Sequence, residues 1–480
     1  MSLPHARNLI DGQWHEGHAA GTARAPATGQ AIGTYADAGA VTARRAIDAA
    51  RRAFNETPWA HDRQRRASAL SELADRMAAR RDELVHLLSL ENGKRRADAA
   101  MEVDAAIPKL RYNAALALTD TGRAAETAPH SYSMTLHQLA GVAAVIVPWN
   151  SPVILAVRSF APALAAGCTV AMKMPAQTAL TNGLLYEIIA ETTALPAGVV
   201  NAFTESGDEG APLLVSDPGT DVVSYTGSTA VGRVIMAEAA RRLKGCSLEL
   251  GGKSPMVVFD DADLDAAVPV LTAALTTFSG QFCMAGSRIL VQRSAADELR
   301  DRLITAVEAV PVGPDADPET AMGPVIDRAQ ALRIDSLVAA SADHGRILVR
   351  GGLLTPDGDD AYLRPSLVEV DDLAAPIIQR EVFGPVATFE VFDDEDDAVH
   401  RANATEYGLA ASVWSRDVDR PLRVGRRLDA GTVWINDWGV IRDQFEEGGF
   451  KQSSLGRLNG PRALAEFQEI KHLVHTPRTG

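Results

Sequence analysis

Four apolar runs alternating with helix-length segments constrain this chain more than any other feature. Residues 142–147, Val-Ala-Ala-Val-Ile-Val, are apolar without a break, as a strand buried on both faces of a parallel sheet requires. Residues 169–173, 199–203 and 221–225 repeat the pattern after intervening helical segments. Strands alternating with helices predict a doubly wound α/β sheet that binds ligands at the carboxyl ends of its strands. Asn150, Lys173 and Gly227 fall at such ends. A second α/β series begins at Pro255, with strands expected at 256–259, 289–292, 347–349, 387–391 and 432–436. A boundary is expected between Glu249 and Lys253.

Before these units, Asn8 to Trp14 reads as strand, Asp11-Gly12 turn, strand. Ala43, Ile47, Ala50 and Phe54 have helical spacing. Leu70, Leu73, Met77, Leu84 and Leu87 mark one face of a long amphipathic helix that stops at Asn92-Gly93. Residues 127–138 alternate instead, which fits an edge or arm strand. The tail from 463 to 474 reads as a short helix and a strand.

Composition narrows the function class. The formal charge of −15 argues against nucleic acid or a membrane surface as partner. Cys168, Cys246 and Cys283 form neither a CxxC pair nor a metal-ligand spacing, and no paired-histidine motif occurs, so no metal is expected. Residues 1–7 lack the apolar stretch of a signal peptide, and Arg158 interrupts the longest apolar run. A cytoplasmic enzyme is the expected class.

Chemistry gathers at a few positions. Cys283 stands between Gly280 and Gly286 in a turn, where a thiolate can act as nucleophile; the competing reading is a small buried hydrophobe. Glu249 sits at a strand end before two glycines, as a general base or as a capping carboxylate. Glu381 precedes the Gly384-Pro385 turn. The Gly227–Gly232 turn lacks the GxGxxG spacing but offers helix N-terminal amides to a phosphate. Gly252-Lys253-Ser254 is not a P-loop, because Ser247 occupies the first glycine position.

Several motifs occur together in order: Pro148-Trp149-Asn150, Lys173 after its strand, residues 225–229 (Tyr-Thr-Gly-Ser-Thr), Glu249-Leu250-Gly251-Gly252-Lys253, Gly280-Gln281-Phe282-Cys283, residues 381–385 (Glu-Val-Phe-Gly-Pro) and residues 448–453 (Gly-Gly-Phe-Lys-Gln-Ser). With them the chain resembles the aldehyde dehydrogenase superfamily over residues 8–475. The resemblance implies an α/β fold with three parts. These are a Rossmann-like cofactor domain (1–120 and 140–250), an α/β catalytic domain (251–458) and a small β oligomerisation arm (121–139 and 459–480), giving a homodimer or homotetramer. It implies oxidation of a small-molecule aldehyde to its carboxylic acid with NAD or NADP. Cys283 would form the thiohemiacetal and thioester, Asn150 would donate to the oxyanion, and Glu249 would activate water. Trp149, Lys173, Gly227, Ser228, Glu381 and Phe383 would hold the cofactor.

The departures from that family are specific. Ala176 stands where NAD-preferring members carry a ribose-binding glutamate, so NADP is expected to be accepted. Ser159 and Leu458 stand where a lysine and a glutamate form a proton path in several members, and Ser454 replaces a common glycine. Ser151, Arg158 and Glu447 replace aromatics of the substrate funnel. Arg158 points to a semialdehyde carboxylate, whereas Glu446 and Glu447 point to a neutral or cationic aldehyde. Two rival readings are a CoA-acylating semialdehyde dehydrogenase, which Glu249 argues against, and a non-catalytic binding or structural protein on the same scaffold.

Overall fold

A computed structural model describes residues 3–476. Residues 1–2, at the start of the segment read for targeting, and 477–480, the end of the expected oligomerisation segment, lie outside the described residues.

The four apolar runs form the centre of an eight-stranded sheet. Its order is Ser454–Leu455, Gly245–Glu249, Val222–Thr226, Val142–Ile146, Thr169–Pro175, Val200–Glu205, Asn8–Ile10, Gln13–His15. The five strands from Gly245–Glu249 to Val200–Glu205 are parallel, and the outer ones are antiparallel. Alternate residues serve opposite faces: Val145, Val170 and Ala202 pack into one core and Ala144, Ala171 and Phe203 into the other. Burial on both faces explains why these strands carry no polar alternation. The Asp11-Gly12 turn has φ 55° and 70°, the left-handed pair that a two-residue hairpin needs.

The second sheet has seven strands, in the order Arg346–Val349, Ser366–Glu369, Val386–Phe392, Arg288–Gln292, Pro255–Val258, Ala410–Trp414, Thr432–Ile435. Five of these lie where the apolar runs predict them. Ser366–Glu369 and Ala410–Trp414 are additions. The Ser454–Leu455 strand returns from this half to pair with Gly245–Glu249, so both halves build the region around Glu249.

The helix expected through residues 70–87 is two helices, Arg63–Ala79 and Arg81–Asn92. At their junction the Arg80 guanidinium binds Glu83 at 2.8 Å and Glu187 at 2.8 Å. The stop at Gly93 is a left-handed C-cap, φ 82°. A further helix, Arg96–Thr119, was not anticipated. The alternating segment is a hairpin, Arg123–Ala128 and Ser131–Leu139, turning at His130 with φ 62°. Ser131–Leu139 also pairs antiparallel with Gln468–His475, so this small sheet joins two distant parts of the chain. Among the described residues no helix is long and apolar enough to cross a membrane.

Candidate active site

The Cys283 turn is held by backbone strain and close packing. After the helix Leu264–Thr276, Phe278, Ser279 and Gly280 take left-handed φ values of 53°, 56° and 70°. Only glycine adopts this conformation freely, so the two side-chain residues need anchors. The Ser279 hydroxyl donates to the carbonyls of Gly323 and Pro324 at 2.9 and 3.1 Å. Phe278 lies under Lys94 Nζ, 3.9 Å from the ring centroid. A Cβ on Gly280 would stand 2.3 Å from the Gly384 carbonyl, which brings the cysteine turn against the Glu381–Pro385 turn. Cys283 itself is half-buried beside Phe282, Met284 and Trp438. Burial pushes its thiol up to about 12, with Arg158 opposing and the carboxylates of Glu447, Glu381 and Glu249 reinforcing the rise.

Asn150 ends the loop that follows Val142–Ile146 and is buried. Its side-chain amide donates to the Gln281 carbonyl at 3.2 Å, which ties it to the cysteine turn. The next helix, Pro152–Ala166, begins with proline at its first position and is buried almost all round. Its N-terminal amides are satisfied by Glu102, which accepts from Val153 N at 2.8 Å and Ile154 N at 3.3 Å. The other Glu102 oxygen pairs with buried Lys94, whose ammonium also donates to Ser151 Oγ at 3.1 Å. Ser151 is thus turned toward a buried ion pair. Lys94 and Glu102 were missed in the sequence. The signal that could have found them is the spacing of Ala99, Val103, Ala106, Leu110 and Ala117, a buried helical stripe beside Glu102.

Glu249 ends its strand opposite Thr226 and is only 3% exposed. Ser454, at the usual glycine position, donates its hydroxyl to Glu249 Oε1 at 2.9 Å. Burial raises the carboxyl to about 8; Arg158, the Ser454 hydroxyl and Arg457 oppose the rise and Glu447 adds to it. Arg158 and Glu447, expected to act on a substrate in opposite senses, bind each other at 2.7 Å. Arg158 also donates to Thr226 Oγ1 at 3.1 Å, and its Nε has no hydrogen-bond partner among the described residues. Ser159 and Leu458 are both buried and bring no charge to the site.

Of the expected cofactor residues, Trp149, Lys173, Gly227 and Ser228 lie toward the carboxyl ends of first-sheet strands, whereas Glu381 and Phe383 come from the turn before Val386–Phe392 of the second sheet. A cavity of about 640 Å³ opens beside the helix Thr229–Ala240, lined by Ala211, Pro212, Val215, Tyr225, Val231 and Val234. Its apolar walls suit a planar base. Ser228 caps this helix and accepts from Val231 N at 3.4 Å. The approach is narrow at Gly227, where a Cβ would meet the Tyr225 hydroxyl at 2.2 Å. Lys173, expected at the strand end, lies two residues inside it, because the strand continues to Pro175 beside Glu205; it is half-buried, and burial lowers its pKa while Glu205 and Asp37 oppose that shift. Glu381 accepts from Gly252 N at 3.2 Å. Burial lifts its carboxyl to about 7 against the pull of that amide, Lys253 and Arg333. Phe383 meets Trp149 edge to face, with ring centroids 5.4 Å apart. The apolar cavity, the helix N-terminus at Ser228 and the buried carboxyl of Glu381 are groups that would suit the base, phosphates and ribose of a dinucleotide. Among the described residues no group of three or more His, Cys, Asp or Glu is placed to hold a metal ion.

Comparison with known proteins places the chain in a family. The aldehyde dehydrogenase family model matches residues 14–473. Betaine aldehyde dehydrogenase of Bacillus subtilis (strain 168) is 35% identical over 477 residues, covering 98% of this chain and 97% of the relative. Succinate-semialdehyde dehydrogenase of Paenarthrobacter nicotinovorans is 38% identical, covering 92% of this chain and 98% of the relative. The crystal structure of betaine aldehyde dehydrogenase from Staphylococcus aureus in complex with NAD+ superposes with a TM-score of 0.95 at 36% identity, over 98% of this chain and 96% of that one. An NAD-dependent aldehyde dehydrogenase from Sinorhizobium meliloti gives 0.95 at 34% identity, over 98% and 95%. Matched over residues 14–473 by the family model and along nearly its whole length by relatives at 35% and 38% identity, the chain belongs to the aldehyde dehydrogenase family.

Proposed function

We propose that this chain oxidises an aldehyde to its carboxylic acid with NAD or NADP, using Cys283 as nucleophile and Glu249 as hydrolytic base. The observation that carries the reading is the bond from the Asn150 amide to the backbone of the cysteine turn. That bond holds the amide on the cysteine turn two residues before Cys283, which supports an oxyanion-donor role, since preorganised donors are the effective ones. Cys283 gives its proton to solvent as its sulfur adds to the aldehyde carbon, and the Asn150 amide and Cys283 N–H hold the oxygen of the thiohemiacetal. A bound NAD or NADP would supply the hydride acceptor for oxidation of that carbon, and Cys283 would carry the resulting thioester. Glu249 then takes a proton from water as the water attacks the thioester and returns it to the departing Cys283 sulfur, releasing the acid and restoring the thiol. Trp149, Lys173, Gly227, Ser228, Glu381 and Phe383 bind and orient the cofactor. Residues 1–120 and 140–250 form the cofactor domain and 251–458 the catalytic domain.

The relatives' names point to differently charged aldehydes, so the substrate class is argued from this chain's own residues. Phe278, Phe282, Trp434 and Trp438 form a continuous edge-to-face cluster beside Cys283. That wall favours a neutral, apolar aldehyde. A semialdehyde carboxylate would have to displace Glu447 from Arg158. Glu249 favours release of a free acid over acyl transfer to CoA, and the intact Cys283–Asn150–Glu249 set speaks for catalysis over a purely structural role. The segments 121–139 and 459–480 make a homodimer or homotetramer, which the exposed apolar residues of the small sheet support.

The test is reduced-cofactor formation with an aldehyde panel and each of NAD and NADP, beside Cys283→Ala and Glu249→Gln. Cys283→Ala should abolish both the first-turnover burst and the steady state. Glu249→Gln should keep the burst and slow the steady state by about a hundredfold or more. Equal activity in Cys283→Ala, or no reduction with any aldehyde, overturns the reading.

A further inference from the structure

The usual relay positions are buried and bear no charge: Ser159 on the helix Pro152–Ala166, and Leu458 near the chain's end. An ion pair nevertheless sits one step away from each. Arg158 is Ser159's neighbour on the helix. Glu447 is bridged to Leu458 through two main-chain bonds, Glu447 N to Leu458 O at 2.7 Å and Leu458 N to Glu447 O at 2.9 Å. We infer that Arg158 and Glu447 are positioning residues for Glu249, and that their paired charges set the pH range in which it works as a base. The inference rests on the hydrolytic role proposed for Glu249.

The geometry places the pair against that carboxyl from two sides. Arg158 binds Thr226 Oγ1, and Thr226 is the strand partner of Glu249. Gly448, next to Glu447, packs directly on Glu249: a Cβ there would stand 3.1 Å from Oε1. The groups around Glu249 are Arg158 from the helix, Glu447 from the loop, Ser454 on the returning strand, Arg457 just after it, and Cys283 from its turn. The pair is held rigidly. Glu447 Oε2 accepts from Asn459 Nδ2 at 2.9 Å, and Asn459 Oδ1 accepts from Lys109 Nζ at 2.6 Å. Lys109 also binds Asp443 at 2.6 Å. This chain leads from Glu447 to a half-buried carboxylate and anchors the acidic member of the pair.

A cation beside Glu249 favours its ionised form and an anion disfavours it. Removing each charge should therefore move the base in opposite directions, a pattern that general loosening of the site does not produce. The experiment measures the pH dependence of steady-state kcat and of the first-turnover burst in wild type, Glu447→Gln, Arg158→Met, Arg158→Lys and the double variant Arg158→Met/Glu447→Gln. The acidic limb of kcat should move to lower pH in Glu447→Gln and to higher pH in Arg158→Met, each by about one pH unit. Arg158→Lys and the double variant should lie near wild type. Should Arg158→Met not fold, Glu447→Gln and Arg158→Lys carry the test. An unmoved limb in Glu447→Gln, or movement of both single variants in the same direction, overturns the inference. So does a fall in KM for a carboxylate-bearing aldehyde in Glu447→Gln with the limb unmoved, which would make Arg158 a substrate contact. Failure of the hydrolytic reading itself shows separately, as loss of the burst in Glu249→Gln.

Discussion

A carboxyl buried as deeply as Glu249 is ionised only as far as its neighbours allow. Raised to about 8, it is mostly protonated at neutral pH. The base form is the deprotonated one, so thioester hydrolysis should accelerate as pH rises from about 7 to about 9. Single-turnover acid release measured across that range checks this; a rate that is flat or falls with pH would contradict it. Asn150→Ala should lower kcat by about a hundred- to a thousandfold with a smaller change in KM, the usual cost of one oxyanion donor. At this scale the sequence was informative about identity and silent about pairing. Cys283, Asn150 and Glu249 each stand in a recognisable local motif. The bond between Arg158 and Glu447 joins residues 289 positions apart, and no local pattern records it. Their charges looked opposed because their mutual contact is a property of the folded chain.

At the scale of elements, the helix Arg96–Thr119 shows why part of the site was not legible. Its buried stripe is mostly alanine and it contains Pro108, so its hydrophobic period is faint. Yet it supplies Glu102, which caps the helix after Asn150 and neutralises Lys94. Glu102→Gln should leave a buried ammonium without its partner, at a cost of about 3–5 kcal/mol. A fall in Tm together with reduced kcat would check both consequences. The strand-to-helix turn at Ala176 carries a second expectation. Without an acid to repel a 2′-phosphate, the ratio of kcat/KM for NAD over NADP should stay below about a hundred, or 2.7 kcal/mol. Ala176→Glu should raise that ratio by about tenfold or more, which steady-state kinetics with both cofactors would measure. The parallel strands themselves were readable, because burial on both faces leaves an unbroken apolar run. Ala410–Trp414 was not, since its alanines and serine blur that signal.

For the whole molecule, the small sheet of Arg123–Ala128, Ser131–Leu139 and Gln468–His475 leaves Ile470 and Val474 exposed at 70% and 64%. Apolar side chains gathered on one such surface favour burial against another subunit. Ile470→Lys with Val474→Lys should shift the protein to smaller species in light scattering, with secondary structure kept; an unchanged mass would remove this sheet from the subunit contact. The long register between 132–139 and 468–475 could not be read from either strand alone, because neither carries information about its partner.

The contact of Gly280 with the Gly384–Pro385 backbone has a consequence for any effort to retarget this protein. Two main chains touching without side chains between them form a joint with no slack. The segment bearing the nucleophile and the segment bearing Glu381 must therefore shift together or not at all. Variation aimed at new aldehydes belongs on the aromatic cluster beyond that turn, at Trp434 and Trp438, where side-chain volume can be exchanged. Gly280 and Gly384 should be left as they are, since a single methyl at Gly280 would separate the reacting sulfur from the cofactor cleft it has to face.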